Sequence, residues 1–507
     1  MPPMRRVLAV LMFIAACGDG SMATTPDAPA TSDVVPECHD TPQTDADPFT
    51  TPDSINAVIP VPVVPGSLAG WDPDGRWFLT GTRVGSVSSF FFEKRSGTEI
   101  IVDRNEASPG MMTDDVIFQR EIVNPGGLTY TVIKRVSNRA PDGSARAERI
   151  VCDGSNCRVC TAKLIRATHN AGEGEGNNIS LVGQLNDPSW PKTYTLNVRM
   201  AGTLAYLIRR DGLHIIETAD PAHPVELGRY GRVMPSGEAN DVKLVQAGAK
   251  RYALIADVPV DIVDVTDPAN PFLASMIGEE AHTVAVESRD NKVYAYFGAY
   301  NRRCPIYDVT DPTTPVKLGS FLTAGSLVHD LSLENGVAYL NAWEGGFYVV
   351  DYTTPASPHQ LGRWPQSPAT TSHSSWPMQV GGRHIALHGD ENYAAHLDVV
   401  DVDPASASFM SSIGSYKTRD LVSIHNLMAF GSKAYFTYYQ DGVRVLDMSD
   451  PTNPALVGYY NTWDPQADYT TSDFFEGAVG LDVDLTRKLI FVADSPRGLL
   501  ILQDSTP

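Results

Sequence analysis

The chain has 507 residues, 42% hydrophobic and 9% aromatic, enough for a sizeable core and for two or three structural units. Its 60 acidic residues outnumber 39 basic ones, for a net charge of −21. That balance argues against nucleic acid or an anionic membrane surface as partner and fits a soluble surface that resists aggregation.

Arg5 and Arg6 precede an apolar stretch, residues 7–16, that is too short to span a bilayer as a mature helix. It ends in Ile14-Ala15-Ala16-Cys17, which resembles a bacterial lipobox: an aliphatic residue, two small ones, then the cysteine that is lipidated. The resemblance implies a signal peptide over residues 1–16, a lipid anchor at Cys17 and a cell-envelope location. Gly18, rather than Asp, after that cysteine points to the outer membrane. Residues 17–54 are rich in Thr, Pro, Asp and Ala, with too little apolar surface to offset ordering entropy, and read as a mobile acidic tether.

The envelope is oxidising, so disulfides are the default for Cys38, Cys152, Cys157, Cys160 and Cys304. Cys152 and Cys157 flank a turn-like insert between two strand-like runs, and a bridge across that hairpin leaves Cys160 to pair with Cys38. The competing reading, Cys-x4-Cys-x2-Cys as part of a metal site, lacks a fourth ligand nearby. Cys304 reads as a free buried thiol.

Residues 55–170 carry short β-branched or aromatic runs at 76–80, 86–93, 99–103, 116–123, 128–135 and 147–152, separated by Gly, Pro and Asn-Asp turns. They predict a small antiparallel β domain, a sandwich or a barrel. Gly75-Arg-Trp77 at its first strong strand resembles the Gly-x-Trp of lipocalins. The run Ala171-Gly-Glu-Gly-Glu-Gly-Asn177 is a linker.

From residue 177 onward one pattern recurs seven times: a first strand, a second centred on an aromatic, a third reading apolar-x-apolar-Val-Asp, an Asp-Pro turn, and a fourth ending in Leu-Gly. Third strands are plainest at residues 213–217, 261–265, 305–309, 347–351, 397–402, 443–447 and 498–503. A repeat of this length built from four strands predicts an all-β chain with a seven-bladed β-propeller over 177–507. The last unit lacks a fourth strand, and residues 179–185 read like one. They are expected to pair with the C-terminal strand and close the ring, because an open ring leaves an unpaired edge. The repeated third strand and its Asp-Pro turn resemble the LVIVD-repeat family of bacterial and archaeal surface propellers, a resemblance that implies the architecture and names no reaction.

Four consecutive units begin their first strand with a histidine: His282, His329, His373 and His425. First strands surround a propeller's axis, so these imidazoles are expected to converge there. Two readings stay open: together with carboxylates they ligate a transition metal such as Zn, Cu or Fe, or each bonds the backbone of a neighbouring blade. The corresponding positions of other units are read as Asn240-Asp241 and Glu476. Loops on the same face carry Trp343, Glu344, His388, Asp390, Tyr438, Tyr439 and Asp441, a mixture of aromatics and carboxylates suited to binding a glycan, peptide or protein.

No nucleophile elbow, His-Glu-x-x-His, phosphate loop or dinucleotide fingerprint occurs in the sequence. Carboxylate pairs such as Glu279-Glu280 and Asp390-Glu391 read as surface decoration. The expectation is therefore an envelope lipoprotein whose propeller is a non-catalytic binding or scaffold module for protein, peptide or glycan. The alternative is a metal-dependent envelope enzyme, an oxidoreductase or hydrolase, that uses the histidine ring.

Overall fold

A computed structural model describes residues 38–45, 47–80, 89–124, 127–232, 239–365, 371–392, 395–420, 422–467 and 475–507. The expected signal peptide and Cys17 lie outside them. The chain divides into two compact units, one essentially residues 1–168 and the other essentially 169–507. Among the described residues no helix is long and apolar enough to cross a membrane.

In the first unit β1 (Cys38–Pro42) is followed by β2 (Gly75–Thr80), β3 (Ser89–Lys94), β4 (Glu99–Val102), β5 (Gly110–Met112), β6 (Val116–Val123), β7 (Tyr130–Ser137), β8 (Ala145–Cys152) and β9 (Asn156–Arg166). Each strand from β2 to β9 pairs antiparallel with the next, and β9 returns to pair with β2 at Trp77↔Arg166. The expected sandwich or barrel is thus an eight-stranded barrel, closed by that pairing. Side chains alternate along the strands, and Trp77, Leu79, Phe90, Phe92, Ile100, Val102, Ile117 and Leu164 form one buried cluster.

The first half of the β9 edge that meets β2 takes up β1 in the register Cys38↔Cys160, and a disulfide joins that pair. A second disulfide links Cys152 to Cys157 across the β8–β9 hairpin. Residues 38–54, expected as tether, therefore include a strand and, at Pro52–Ala57, the start of a 3-10 helix capped by Thr51. The backbone pairing with β9 and the covalent tie order a segment whose composition alone could not.

The second unit is the propeller. Its described residues form seven sheets around a ring, spanning 195–231, 241–277, 281–322, 330–364, 372–416, 427–460 and 478–504, here called blades 1 to 7. First strands of successive blades lie against one another all the way round, blade 7 meeting blade 1. The seventh sheet is completed by β11 (Ile179–Leu185), which pairs antiparallel with Gly498–Asp504 from Ile179↔Asp504 to Leu185↔Leu499, the closure expected from sequence. Just before it, β10 (Gly176–Asn177) adds to blade 6 at Tyr460 and Tyr459.

The structure accounts for the repeated letters. The Asp that ends a third strand accepts the backbone N–H two residues on, as Asp264 does from Thr266 (3.0 Å) and Asp447 from Ser449 (2.9 Å). The Asp of the Asp-Pro turn repeats the device, Asp311 accepting from Thr313 (2.9 Å) and Asp450 from Thr452 (3.0 Å). The Leu-Gly of the fourth strand lies where the next blade's turn abuts: a Cβ at Gly228 or Gly319 would run into the carbonyl of Pro268 or Pro355. Cys304 is a free, fully buried thiol whose pKa burial pushes up to about 12.

Candidate metal centre at the propeller hub

The four histidines do converge. Ring centroids are 4.0 Å apart for His282 and His329, 4.2 Å for His329 and His373, and 4.3 Å for His373 and His425. The arc arises because equivalent positions of blades 3 to 6 carry the same residue, and in two blades a β-bulge sets the aim. His282 and His373 are the extra residues where pairing of first and second strands slips, between Ala281 and Thr283 and between Ser372 and Ser374. The same ring position holds Leu196 in blade 1, Asn240 in blade 2 and Val479 in blade 7, by the registers Asn197↔Ile208, Asp241↔Ala256 and Gly480↔Ala493. Glu476, expected at the blade-7 position, instead accepts from the indole of Trp463 (3.1 Å).

A second repeated position faces this arc. Gly298, Asn341, Gly389 and Thr437 are equivalent by register, and the residues two further on are Tyr300, Trp343, Glu391 and Tyr439. Three are aromatic and sit against the histidine of their own blade: Tyr300 on His282 (5.6 Å), Trp343 stacked on His329 (4.7 Å) and Tyr439 on His425 (4.7 Å). Blade 5 breaks the pattern with a carboxylate. Glu391 Oε2 lies 3.7 Å from His373 Nε2 and 3.9 Å from His329 Nε2, and its Oε1 lies 3.9 Å from His425 Nε2. The donor atoms of His329, His373 and Glu391 all fall within 4.8 Å of one another.

This carboxylate is held firmly. The Glu391 N–H donates to Thr371 O (3.0 Å), the Thr371 hydroxyl donates to Glu391 O (2.6 Å), and the Tyr439 hydroxyl donates to Glu391 Oε1. Trp343 and Tyr439 are themselves fixed in left-handed backbone, φ 47° and 40°, by bridges to Ser372 and Ala478 of the following blades. Such backbone in bulky residues costs free energy and clusters where a side chain must be aimed.

The electrostatics suit cation binding. Burial lowers the pKa of His282 and of His425 to about 4, and pushes His329 and His373 well down, each also repelled by its neighbours. At neutral pH all four are therefore uncharged, with a lone pair free on one ring nitrogen. Burial raises Glu391 to about 7 against the opposing hydrogen bond from Tyr439. A buried carboxylate amid neutral imidazoles lacks the positive charge that would hold it ionised, and a metal ion supplies one.

The backbone-bonding reading holds for one of the four. His425 Nδ1–H donates to Val479 O in the next blade at 2.7 Å. A backbone group of His329 draws on His282, and the carbonyl of His425 draws on His373 without reaching hydrogen-bond geometry. His373 is 1% exposed, and among the described residues neither of its ring nitrogens has a hydrogen-bond partner. A buried unpaired polar group carries a desolvation penalty of about 1–3 kcal/mol, which a ligand at Nε2 removes.

Of the residues expected to form a binding surface, Glu344 is exposed and Trp343 and Asp390 are half-buried. His388, Tyr438, Tyr439 and Asp441 are buried, His388 inside the second strand of blade 5, and so offer no open surface. His388 bonds the Ser372 hydroxyl (2.9 Å), Tyr438 donates to Tyr416 O (3.2 Å) and Asp441 pairs with Arg419 (2.6 Å). Glu391 is the donor that sequence reasoning set aside; the signal was there, as the one acidic residue at a position that is aromatic in the neighbouring blades.

Comparison with known proteins bears on the architecture. The LVIVD repeat family description matches residues 236–277 and 426–462, which lie mainly in blades 2 and 6. The WD40 repeats of RRP9 match with a TM-score of 0.46 at 7% identity, covering 64% of this chain and 97% of that one. No curated protein matches.

Proposed function

We propose that this LVIVD-repeat propeller is a metal-binding module of the bacterial cell envelope, holding one divalent transition-metal ion between His329 Nε2, His373 Nε2 and Glu391 Oε2. The observation that carries the reading is the pairing of a buried, unpartnered imidazole, His373, with a carboxylate that replaces an aromatic in blade 5 alone. Repeat glue would recur from blade to blade, whereas Glu391 does not. His282 and His425 flank the ion, and Tyr439 orients the carboxylate by its hydroxyl, as the outer partners of metal ligands do.

Recognition of protein, peptide or glycan belongs in this reading to the rim above the centre. Trp343 and Glu344 support it, the indole being half-buried and stacked over His329. A ligand seated there would cover the metal. The sequence at Cys17 supports lipid anchoring of the whole.

Elemental analysis of protein purified without chelator is the test. About one equivalent of Zn, Fe or Cu per chain is expected, falling to background in the His329→Ala/His373→Ala double variant. Metal-free native protein that also fails to take up Zn(II) or Co(II) by calorimetry would refute the reading. Mass spectrometry of the N-terminal peptide checks the anchor, with a diacylglyceryl group expected on Cys17.

A further inference from the structure

The donors at the hub occupy one sector of the ring. His329 comes from blade 4 and His373 and Glu391 from blade 5, with His282 of blade 3 and His425 of blade 6 beside them. Across the axis, blades 7 and 1 offer Val479 and Leu196 at the histidine position, and blade 2 offers Asn240, whose amide donates to the Tyr300 hydroxyl (3.2 Å). At the aromatic position, Tyr300, Trp343 and Tyr439 bring rings and no further carboxylate.

Two imidazole nitrogens and one carboxylate oxygen on one side of an ion form the donor set that suits ferrous iron and leaves half of an octahedral shell free. His425 Nε2, 3.9 Å from Glu391 Oε1, could be drawn in as a fourth donor, and positions would still remain. Val479, buried, and Leu196, partly so, give the far sector no metal donor at the histidine position, so that side of the ion is left to an outside ligand. A structural site, by contrast, closes its shell with protein ligands.

We infer that the hub is a mononuclear ferrous centre with an open coordination position for a neutral diatomic ligand of the dioxygen type. This rests on the metal reading above and narrows it to one ion and one class of ligand. Nitric oxide is the probe, since it binds high-spin ferrous iron at an open position and turns it into a half-integer-spin species visible by electron paramagnetic resonance. The metal-free full chain is loaded anaerobically with Fe(II), desalted, assayed for iron and exposed to nitric oxide.

The expected result is one bound iron per chain and a spin signal accounting for most of it, with at least a tenfold loss of both in His373→Ala. Bound iron without the signal would overturn the inference and leave metal binding intact, as would uptake of Zn(II) without uptake of Fe(II). A signal that persists in a folded His373→Ala variant would overturn it too, by placing the iron elsewhere. Failure to bind Fe(II), Zn(II) and Co(II) alike would remove the metal reading and this inference together.

Discussion

Replacing Ile179 by alanine tests whether closure of the ring holds the propeller together. Ile179 is 4% exposed and opens β11, where it lies in one cluster with Met428, Tyr435 and Tyr460 of blade 6 and Leu481, Leu500 and Leu502 of blade 7. Truncation removes three methylene-sized groups, about 2.4 kcal/mol of transfer free energy at about 0.8 kcal/mol each, and an unrelaxed cavity raises the loss to about 3–4 kcal/mol. Ser180, exposed on the same strand, provides the control, and Ser180→Ala should cost less than about 0.5 kcal/mol. Denaturant unfolding measures the cost. Hydrogen exchange locates it, with amide protection expected to fall first along Gly498–Asp504, the partner strand. A loss below about 1 kcal/mol for Ile179→Ala, or unchanged protection in that strand, would mean that blade 7 is stable without its borrowed strand.

His388 predicts acid sensitivity. Burial, with repulsion from His396, holds its pKa at about 3, against about 6.5 when unfolded, so its share of stability is complete above pH 6.5 and drains as pH falls toward 3. Between pH 7 and pH 4.5 the wild type should lose about 2–3 kcal/mol that His388→Gln does not, and equal pH slopes for the two proteins would contradict this. Tyr439→Phe removes the hydroxyl on Glu391 Oε1 and should weaken metal binding about tenfold in a calorimetric titration, an unchanged Kd counting against the role given to Tyr439. The disulfide joining Cys38 to Cys160 spans 122 residues, so replacing both by serine should destabilise the barrel by about 4–5 kcal/mol in the chain-entropy account. Loss of β1 amide protection would accompany it, and an unaltered denaturation midpoint would refute the claim.

The parts of the fold that were legible are those where local chemistry dictates geometry. The third strand could be aligned seven times and its Asp-Pro turn five times, because these Asp residues satisfy a backbone N–H nearby, as Asp447 and Asp450 do. The missing fourth strand of the last unit was visible as a gap that residues 179–185 could fill. The order of β1 was not legible, since its composition reads as tether and only its pairing to β9 and the Cys38–Cys160 bond fix it. The buried state of Tyr438, Tyr439, His388 and Asp441 was hidden for a similar reason. Polar and aromatic residues between strands, or in a strand such as that of His388, look like surface until their partners from other segments are known.

The hub itself was half legible, and the missing half explains how a repeat protein hides a site. His282, His329, His373 and His425 stood out because they recur, yet recurrence is also what structural glue produces, and His425 does bond Val479 O. What separates a site from glue is a break in the repeat, and Glu391 is that break. Its place in line with Tyr300, Trp343 and Tyr439 is hidden in the sequence, because the hairpin between the histidine and the second position is longer in blades 3 and 5, closing at Thr283↔Gly298 and Ser374↔Gly389, than in blade 4, closing at Asp330↔Asn341. Once register restores the alignment, one carboxylate stands in a row of aromatics, next to the imidazole whose nitrogens lack partners. Seven copies of one sheet build the wheel; chemistry at its centre requires that the copies differ, and among the four blades that carry the histidine it is blade 5 that does.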